Sequence, residues 1–482
     1  MSDNANGKIV SGMIWRFGEK ITAQGVSFIV SLVLARILTP EDYGIIGIVS
    51  IFIAIAEVFV TSGFGTALIQ KKDATELDFS TLCWFNVAFS VVLYAIIFVG
   101  SPLISAFYEM PELTPVLRVF AIRIPINAFN SIQNAYVSRN MDFKKFFFST
   151  IIGTIISAFV GIYMATHGYG VWALIAQILT NTVIDTTVLF ITIKWKPKFI
   201  FSLDAAKPLI KYGWKILATD LIGTIFNQIN AFVIGKKYTT ADLAYYTKGK
   251  TFPDIINNNV SSTLAAVLFP AMSLSSGIEE IKSIRRKSLK MMEYIIFPLM
   301  FGMITVADKM IIVLIKEKWL PAVPYVRISA LAAAVGILGT TLIQETKAIG
   351  RSDMTLKIEL LKKPIMLALL LVAMRYGVKA IAMTLIINEF VAFAFNVYPV
   401  RKFIGFDFKL HLMDAFSSLW MALVMSAIVY AIGKIITNNV VALVVQVLTG
   451  AAVYIALSVI TKHESFLYLI QFIKSKLHRG QA

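Results

Sequence analysis

The first long apolar run of the chain carries basic side chains along one side. Arg16 and Lys20 are one helical turn apart, and polar residues continue the same face at intervals of three or four. Glu19 follows Arg16 by three residues and is placed to pair with its guanidinium. A charge in an apolar segment needs water, a partner or a ligand, so the pattern predicts a wet helical face suited to an anion. This face consists of Arg16, Lys20, Gln24, Ser27 and Ser31.

Charged and amide side chains recur in four other apolar segments. Arg123 is followed at helical spacing by Asn127, Asn130 and Asn134. Arginine binds phosphate through a planar fork, whereas lysine acts as a point charge. Because bases outnumber acids among these residues, we expect them to line a hydrated cavity for an anionic ligand. The candidate binding residues are Arg16, Glu19, Lys20, Glu57, Arg123, Lys215, Asp220, Lys248, Lys250 and Asp254.

Each of these assignments has an alternative that the sequence leaves open. Arg16 and Lys20 lie near the start of their segment, from where both side chains can extend to lipid head groups. Glu57 and Asp220 fit either the neutralisation of a neighbouring base or coupling to an ion. Internal ion pairing is also an alternative for a set in the second half of the chain. That set consists of Lys248, Lys250 and Asp254.

No catalytic or metal-binding motif accompanies these charges. The sequence contains no GxxxxGK[ST] phosphate loop, no HExxH, no GxSxG and no Asp-rich metal loop. A single cysteine, Cys83, and four scattered histidines argue against a cysteine or zinc cluster. We therefore expect a protein that is not an enzyme, with no catalytic residues, no metal and no cofactor.

The elements that must position these side chains are long apolar helices. Hydrophobic residues make up 57% of the 482 residues, and the mean hydropathy is +0.76, whereas soluble domains are about 45–50% apolar. A bilayer-spanning helix needs roughly 20 mostly apolar residues. The sequence therefore predicts an all-α polytopic membrane protein with about 14 transmembrane helices. Their approximate ranges are 11–36, 43–69, 79–108, 114–137, 147–166, 169–193, 208–234, 243–270, 291–307, 323–345, 358–374, 380–400, 411–433 and 440–461.

The net charge of +17 is concentrated in alternate connections between these spans. One set of connections holds 21 Lys and Arg residues, and the alternating set holds 8. Basic residues accumulate in cytoplasmic loops, so the first set and both termini are predicted to be cytoplasmic, and nucleic acid is not needed to explain the charge. The basic connection 271–291 is predicted to form a solvated surface helix, and the tail from 463 an amphipathic helix on the cytoplasmic membrane face.

Two pairs of short segments indicate an internal repeat. RFGEKI at 16–21 resembles KYGWKI at 211–216, and LTPEDYG at 38–44 resembles YTTADLA at 238–244. The repeat predicts two six-helix lobes related by pseudo-two-fold symmetry, an arrangement typical of transporters, whose first two spans enclose the cavity. The predicted domains are an N-lobe at 1–200, a C-lobe at 201–402, two extra spans at 403–462 and the tail at 463–482.

Longer segments resemble the polysaccharide exporter family, which belongs to the fourteen-span superfamily of flippases and multidrug exporters. The similarity covers most of the chain and is to the colanic-acid-type and teichuronic-acid-type exporters in particular. No single segment is sufficient to identify the family, but the order and topological positions of seven segments agree with it. The segments are SGMIWRFGEKI, LARILTPEDYGI, SGFGTALIQKKD, LCWFNV, YGWKILATDLI, LFPAMS and IKEKWLPAVPYVRI.

This resemblance implies a V-shaped bundle that works by alternating access in the bacterial cytoplasmic (inner) membrane. The implied substrate is an undecaprenyl-diphosphate-linked oligosaccharide repeat unit, moved from the cytoplasmic to the outer leaflet. The implied partners are this anionic lipid-linked substrate, membrane lipids, a polysaccharide polymerase and its chain-length machinery. Cavity bases of the family are thought to receive the diphosphate or acidic sugars. The residues that fit this role are Arg16, Lys20, Arg123, Lys215, Lys248 and Lys250.

Three other functions remain open at this point. A multidrug or cation antiporter of the same superfamily would favour an acidic cavity, unlike the basic one predicted here. A membrane polysaccharide polymerase or glycosyltransferase usually needs a sizeable outer loop, and DKMIIVLIKEKWLP is the one outer segment that approaches this. A membrane scaffold would leave the charged helix faces without a purpose. Neither the sugars nor the coupling ion, proton or sodium, follows from the sequence.

Overall fold

The computed structural model describes the backbone of residues 2–275 and 277–479, and the side chains outside 2–14, 16–17, 264–267, 269, 352, 356 and 472–479. Regular structure in this part of the chain is entirely helical, with one 3₁₀ helix at Glu317–Ala322. The α-helices are α1 Ser2–Ile37, α2 Pro40–Thr61, α3 Phe64–Gln70, α4 Glu76–Tyr108, α5 Leu113–Phe120, α6 Arg123–Asn140, α7 Phe143–Thr166, α8 Val171–Thr192, α9 Leu203–Lys237, α10 Thr240–Ser273, α11 Ile278–Ile315, α12 Val323–Ala348, α13 Ser352–Ala373, α14 Val378–Phe403, α15 Phe408–Ile435, α16 Asn439–Ile460 and α17 Glu464–Arg479.

The predicted spans coincide with these helices. Among the described residues, 11 helical segments are long and apolar enough to cross a membrane. The all-α polytopic membrane class is therefore confirmed. Three predicted spans fall on α6, α10 and α13, which lie outside that set of 11. These helices carry asparagine, lysine or arginine where the others carry aliphatic residues, so the number of fourteen spans remains a prediction.

The basic segment predicted as a separate surface helix has a different structure. α10 ends at Ser273, and α11 runs without interruption from Ile278 to Ile315 over 38 residues. At 1.5 Å per residue such a helix is about 57 Å long, which exceeds the roughly 30 Å hydrocarbon core of a bilayer. The prediction was wrong because the bases extend a membrane helix instead of forming an independent one. The predicted tail helix is present as α17.

The chain divides into two compact units, Met1–Ala244 and Tyr245–Ala482. In the first unit, α1 packs on α7, α7 on α8, α2 on α9, and α6 on α3, α4 and α8. In the second unit, α11 packs on α12, α15 and α16, and α12 packs on α14. This division places α9 in the first unit, and the four predicted domain ranges remain predictions.

One pair of repeat segments forms the same local structure twice. At the start of α2, Thr39 Oγ1 accepts a 3.2 Å hydrogen bond from Asp42 N, and Asp42 Oδ2 accepts one of 3.0 Å from Thr39 N. At the start of α10, Thr239 and Asp242 make the equivalent bonds at 3.1 and 3.2 Å. Such reciprocal bonds form a capping box, and its recurrence at matching positions supports the internal repeat.

Removing either cap should have a similar cost. We expect Thr39→Ala and Thr239→Ala each to lower the free energy of unfolding by about 1 kcal/mol, because each leaves a helix N-terminal N–H without its acceptor. The melting temperature of the purified protein measures the effect. Thr→Ser at each position keeps the oxygen and should restore most of the loss. If only one threonine mattered, the two segments would not be structurally equivalent.

Glycines bring repeat segments into close contact with their neighbours in the first unit. A Cβ atom added at Gly44 would lie 2.1 Å from the carbonyl oxygen of Thr240. One added at Gly63, where φ is +86°, would lie 2.3 Å from the carbonyl oxygen of Gly213. Both contacts require hydrogen in place of a side chain. The second contact joins the start of α3 to α9.

Candidate functional site

Polar side chains of α2 and α6 meet within the first unit. Arg123 Nε lies 3.1 Å from Glu57 Oε1 as an ion pair, and Asn127 Nδ2 donates a 2.6 Å hydrogen bond to the same oxygen. The side chain of Arg123 is 31% exposed and that of Glu57 is 17% exposed. We refer to Glu57, Arg123 and Asn127 as the Glu57 cluster. Its geometry agrees with one of the two predicted roles of Glu57, the neutralisation of a neighbouring base.

The ion pair leaves the outer end of the Arg123 guanidinium available. Its Nε faces Glu57, and neither terminal nitrogen donates a hydrogen bond within the part of the chain that the structure describes. A guanidinium carries five N–H donors in a rigid fork. Because Glu57 orients one side of the group, the remaining donors are held ready for a planar or tetrahedral anion such as phosphate.

A buried asparagine of α4 holds the helices of this cluster together. Asn86 is fully buried, and its Nδ2 lies 2.9 Å from the carbonyl oxygens of both Val60 and Ala128. It also lies 3.0 Å from Ser131 Oγ. These contacts join α4 to α2 three residues after Glu57 and to α6 five residues after Arg123. The segment LCWFNV therefore contributes a positioning residue, a role that the sequence alone did not reveal.

The polar face of α6 continues to a carboxylate that the sequence analysis missed. Asn130 Nδ2 donates to Asp185 Oδ2 at 3.0 Å and to Thr186 Oγ1 at 3.1 Å, and Asn134 Nδ2 donates to Asn130 Oδ1 at 2.6 Å. Asp185 lies on α8, a helix that contributed no residue to the predicted binding set. The available signal was a single aspartate within NTVIDTTV. Arg123 and the asparagines thus form one polar stripe along α6.

Three other candidates in the first unit have described side chains that do not pair with the Glu57 cluster. Lys20 of α1 is exposed and Glu19 is half-buried, while the side chain of Arg16 lies outside the described residues. Lys215 and Asp220 are exposed on α9. Within the described side chains, no ion pair links Lys20, Lys215 or Asp220 to Glu57 or Arg123. Their assignment to a binding site remains a prediction.

In the second unit, Lys248 is buried beside an aromatic ring. It is 7% exposed, and its Nζ lies 5.9 Å from the ring centroid of Trp319. The next residue, Gly249, allows α10 to approach α12, because a Cβ added there would lie 2.6 Å from Tyr325 Cβ. A cation over an indole ring is stabilised by the negative face of the ring, more strongly where water is excluded. This geometry places a buried amino group beside the Trp319 ring inside the second unit.

Lys250 and Asp254 lie one helical turn apart on α10. Both are half-buried, and the Nζ of Lys250 lies 5.6 Å from the ring centroid of Tyr246. Their charges interact electrostatically. This spacing is consistent with the alternative that Lys250 and Asp254 pair with each other. Lys248 is more deeply buried than Lys250.

The chain resembles a known protein family over more than half of its length. Residues 33–324 match a family described as polysaccharide biosynthesis protein. The chain is 23% identical to the succinoglycan biosynthesis transport protein ExoT of Rhizobium meliloti, over 100% of this chain and 99% of that protein. It is 26% identical to the teichuronic acid biosynthesis protein TuaB of Bacillus subtilis, over 72% of each.

A solved structure with a similar fold is that of lipid II flippase MurJ in an inward closed conformation. The TM-score is 0.78, and the match covers 93% of this chain and 98% of that one. Because the two sequences are only 15% identical, this likeness identifies the fold alone.

Proposed function

This chain belongs to the family of polysaccharide biosynthesis proteins, and on that premise we propose that it is a flippase for lipid-linked oligosaccharides. Its substrate is a polysaccharide repeat unit on undecaprenyl diphosphate. It moves this anionic lipid from the cytoplasmic to the outer leaflet of the bacterial inner membrane by alternating access, with both termini in the cytoplasm. A polysaccharide polymerase and chain-length proteins then act on the delivered repeat unit.

Family membership confirms the resemblance predicted from the sequence. Family membership also assigns the chain to polysaccharide biosynthesis, as a multi-pass membrane transport protein. The identity of the lipid carrier and the direction of movement are part of the proposal.

The observation that carries the proposal is the half-exposed fork of Arg123. Glu57, which accepts a hydrogen bond from Asn127, lies against one side of this group, and the terminal nitrogens of Arg123 remain available for a ligand. A diphosphate group presents oxygens at the spacing that a guanidinium fork binds. A cation antiporter finds less support in this arrangement, because Arg123 already neutralises the carboxylate of the cluster.

Transport by the purified protein tests the proposal. The protein is reconstituted into vesicles with a fluorescent oligosaccharide on polyprenyl diphosphate, and a membrane-impermeant quencher reports the leaflet that holds the label. We expect the protein to accelerate movement of this lipid and not of a lipophilic cation. Acceleration of the cation alone would support the antiporter alternative and contradict the proposal.

Lys248 provides a second test of the binding charge. We expect Lys248→Met to lower the transport rate about tenfold, because methionine keeps most of the apolar contact with Trp319 but removes the positive charge. The same vesicle assay measures the rate, and the melting temperature reports folding. Lys309→Met is the control, since Lys309 Nζ contacts Asn439 Oδ1 elsewhere in the second unit. Normal transport by Lys248→Met would assign Lys248 a structural role.

A further inference from the structure

A buried histidine, His463, joins the end of α16 to the start of α17. Its backbone N–H donates a 3.0 Å hydrogen bond to the carbonyl oxygen of Ser458, near the end of α16. Its own carbonyl oxygen accepts a 3.1 Å hydrogen bond from Leu467 N, in the first turn of α17. The residue is 8% exposed. Because both of its backbone groups are bonded, the position of His463 is fixed relative to both helices.

The imidazole ring of His463 caps the first turn of α17. Ser465 N donates a 3.3 Å hydrogen bond to Nδ1 of the ring. A backbone N–H can only donate, so Nδ1 is the acceptor and carries no proton. The proton of the neutral ring is then on Nε2, which lies 3.2 Å from Ser417 Oγ and 3.3 Å from Ser418 Oγ on α15. The arrangement requires the neutral ring, because a proton on Nδ1 would face the Ser465 N–H.

The ring of His463 also packs on α11, within a buried polar network. Its centroid lies 5.0 Å from that of the Tyr294 ring, and the two rings are stacked. Tyr294 Oη donates a 2.8 Å hydrogen bond to Ser458 Oγ, and Tyr454 Oη donates one of 2.9 Å to the carbonyl oxygen of Tyr294. His463 therefore connects the start of α17 with α11, α15 and α16.

Other contacts add to the docking of α17. Lys290 Nζ of α11 forms a 2.6 Å ion pair with Glu464 Oε2. Because the Glu464 side chain is 76% exposed, this pair contributes little to stability. Phe466 and Leu469 are partly buried against the apolar core of the second unit. A change in the state of the buried histidine is therefore expected to weaken the docking of α17 measurably.

The surroundings of His463 favour its neutral form. Burial lowers the pKa of His463 below its usual value, and the Lys290 charge lowers it further, whereas the Glu464 charge acts in the opposite direction. The hydrogen bond from Lys290 holds the pKa of Glu464 below its usual value, so this carboxylate stays ionised at mildly acidic pH. Besides the two tyrosines, the ionisable groups around His463 and its partners are Arg286, Lys290, Glu293, Asp414, Lys462 and Glu464.

We propose that protonation of His463 releases α17 from the second unit, so that α17 acts as a pH-sensitive strap. A proton on Nδ1 removes the acceptor of Ser465 N and places a positive ring at a helix N-terminus, where positive charge is unfavourable. Since the folded form favours the neutral ring, His463 stabilises docked α17 fully above its unfolded pKa of about 6.5. This contribution is lost as the pH falls through its lowered pKa.

Release of α17 would also open an apolar cavity. Ser465 and Tyr468 form one wall of this cavity, which has a volume of about 840 Å³ and is lined on the α11 side by Met292 and Ile295. The strap shares no residue with the Glu57 cluster, and the proposal does not depend on the proposed transport function.

Hydrogen exchange of the purified full-length protein tests this proposal. Exchange of peptides that cover residues 464–471 is measured at pH 7.5 and 5.5 for wild type and His463→Asn. Asparagine accepts hydrogen bonds from helix N-terminal N–H groups and does not titrate, so it keeps a cap at both pH values. Comparison at equal pH removes the intrinsic pH dependence of exchange. We expect the ratio of wild-type to variant exchange to rise about three- to tenfold from pH 7.5 to 5.5, since one proton changes stability by at most tenfold per pH unit.

Two further variants distinguish the histidine from other titrating groups. His167→Asn, at an exposed position after α7 in the first unit, should behave as wild type. Glu464→Gln removes the ion pair with Lys290 but leaves the imidazole, so its exchange should still rise at pH 5.5 relative to the same variant carrying His463→Asn. An unchanged ratio, or loss of the pH dependence in Glu464→Gln, would overturn the proposal. So would an equal rise in peptides of α11 and α15, since the whole second unit would then be loosening instead of α17.

Discussion

Replacing Arg123 by alanine is expected to slow movement of a lipid-linked oligosaccharide by about 10- to 100-fold. A hydrogen bond to a charged group contributes about 1.5 to 3 kcal/mol, and every 1.4 kcal/mol is tenfold. Arg123→Lys keeps the charge but loses the fork, so its rate should lie between those of wild type and Arg123→Ala. The vesicle assay with the fluorescent oligosaccharide lipid measures each rate at equal protein content.

The expected loss has to be distinguished from the cost of leaving Glu57 unpaired. The double variant Arg123→Ala, Glu57→Gln removes both charges and keeps an amide in contact with Asn127, so it should fold as well as wild type while remaining slow. Arg375→Ala is the matched control, because Arg375 is exposed in the second unit. Recovery of transport in the double variant would show that Arg123 serves only to neutralise Glu57, and the proposed phosphate contact would be withdrawn.

Gly63→Ala is expected to destabilise the first unit strongly. The residue has a φ of +86°, and the new methyl group would meet the Gly213 carbonyl oxygen at 2.3 Å. Left-handed backbone strain costs about 1–3 kcal/mol and overpacking about 1–3 kcal/mol, so we expect a loss of about 2 to 6 kcal/mol. The melting temperature and the yield of monodisperse protein should both fall.

A glycine on α9, the helix that contains Gly213, provides the control. Gly223 of α9 has no heavy atom within 4 Å of its added Cβ. Gly223→Ala should therefore be neutral or stabilise the protein by up to about 1 kcal/mol, since alanine favours the helix. Similar melting temperatures for Gly63→Ala and Gly223→Ala would mean that α3 does not approach α9 as the structure has it.

The sequence was sufficient for the features that depend on neighbouring residues. Apolar runs of span length predict membrane helices because each helix satisfies its own backbone hydrogen bonds. Capping boxes are also local, because they form between residues three apart. The paired segments LTPEDYG and YTTADLA therefore predict two equivalent helix starts. Family resemblance also follows from sequence, since it rests on ordered segments and not on contacts.

Only the tertiary structure decided which charges meet. Glu57 and Arg123 are far apart in sequence, and their 3.1 Å ion pair depends on how α2 lies against α6. Periodicity places each residue on a face of its own helix, but it cannot say which neighbour that face contacts. Asp185 was missed for this reason, because one aspartate in an apolar helix gives no sign that Asn130 opposes it. The prediction for the basic start of α11 was wrong because its charged residues resemble those of a separate surface helix. The sequence did not show that the same helix continues to Ile315. Sequence therefore determined the helices and the family, while helix packing determined the partners of Glu57 and Asp185.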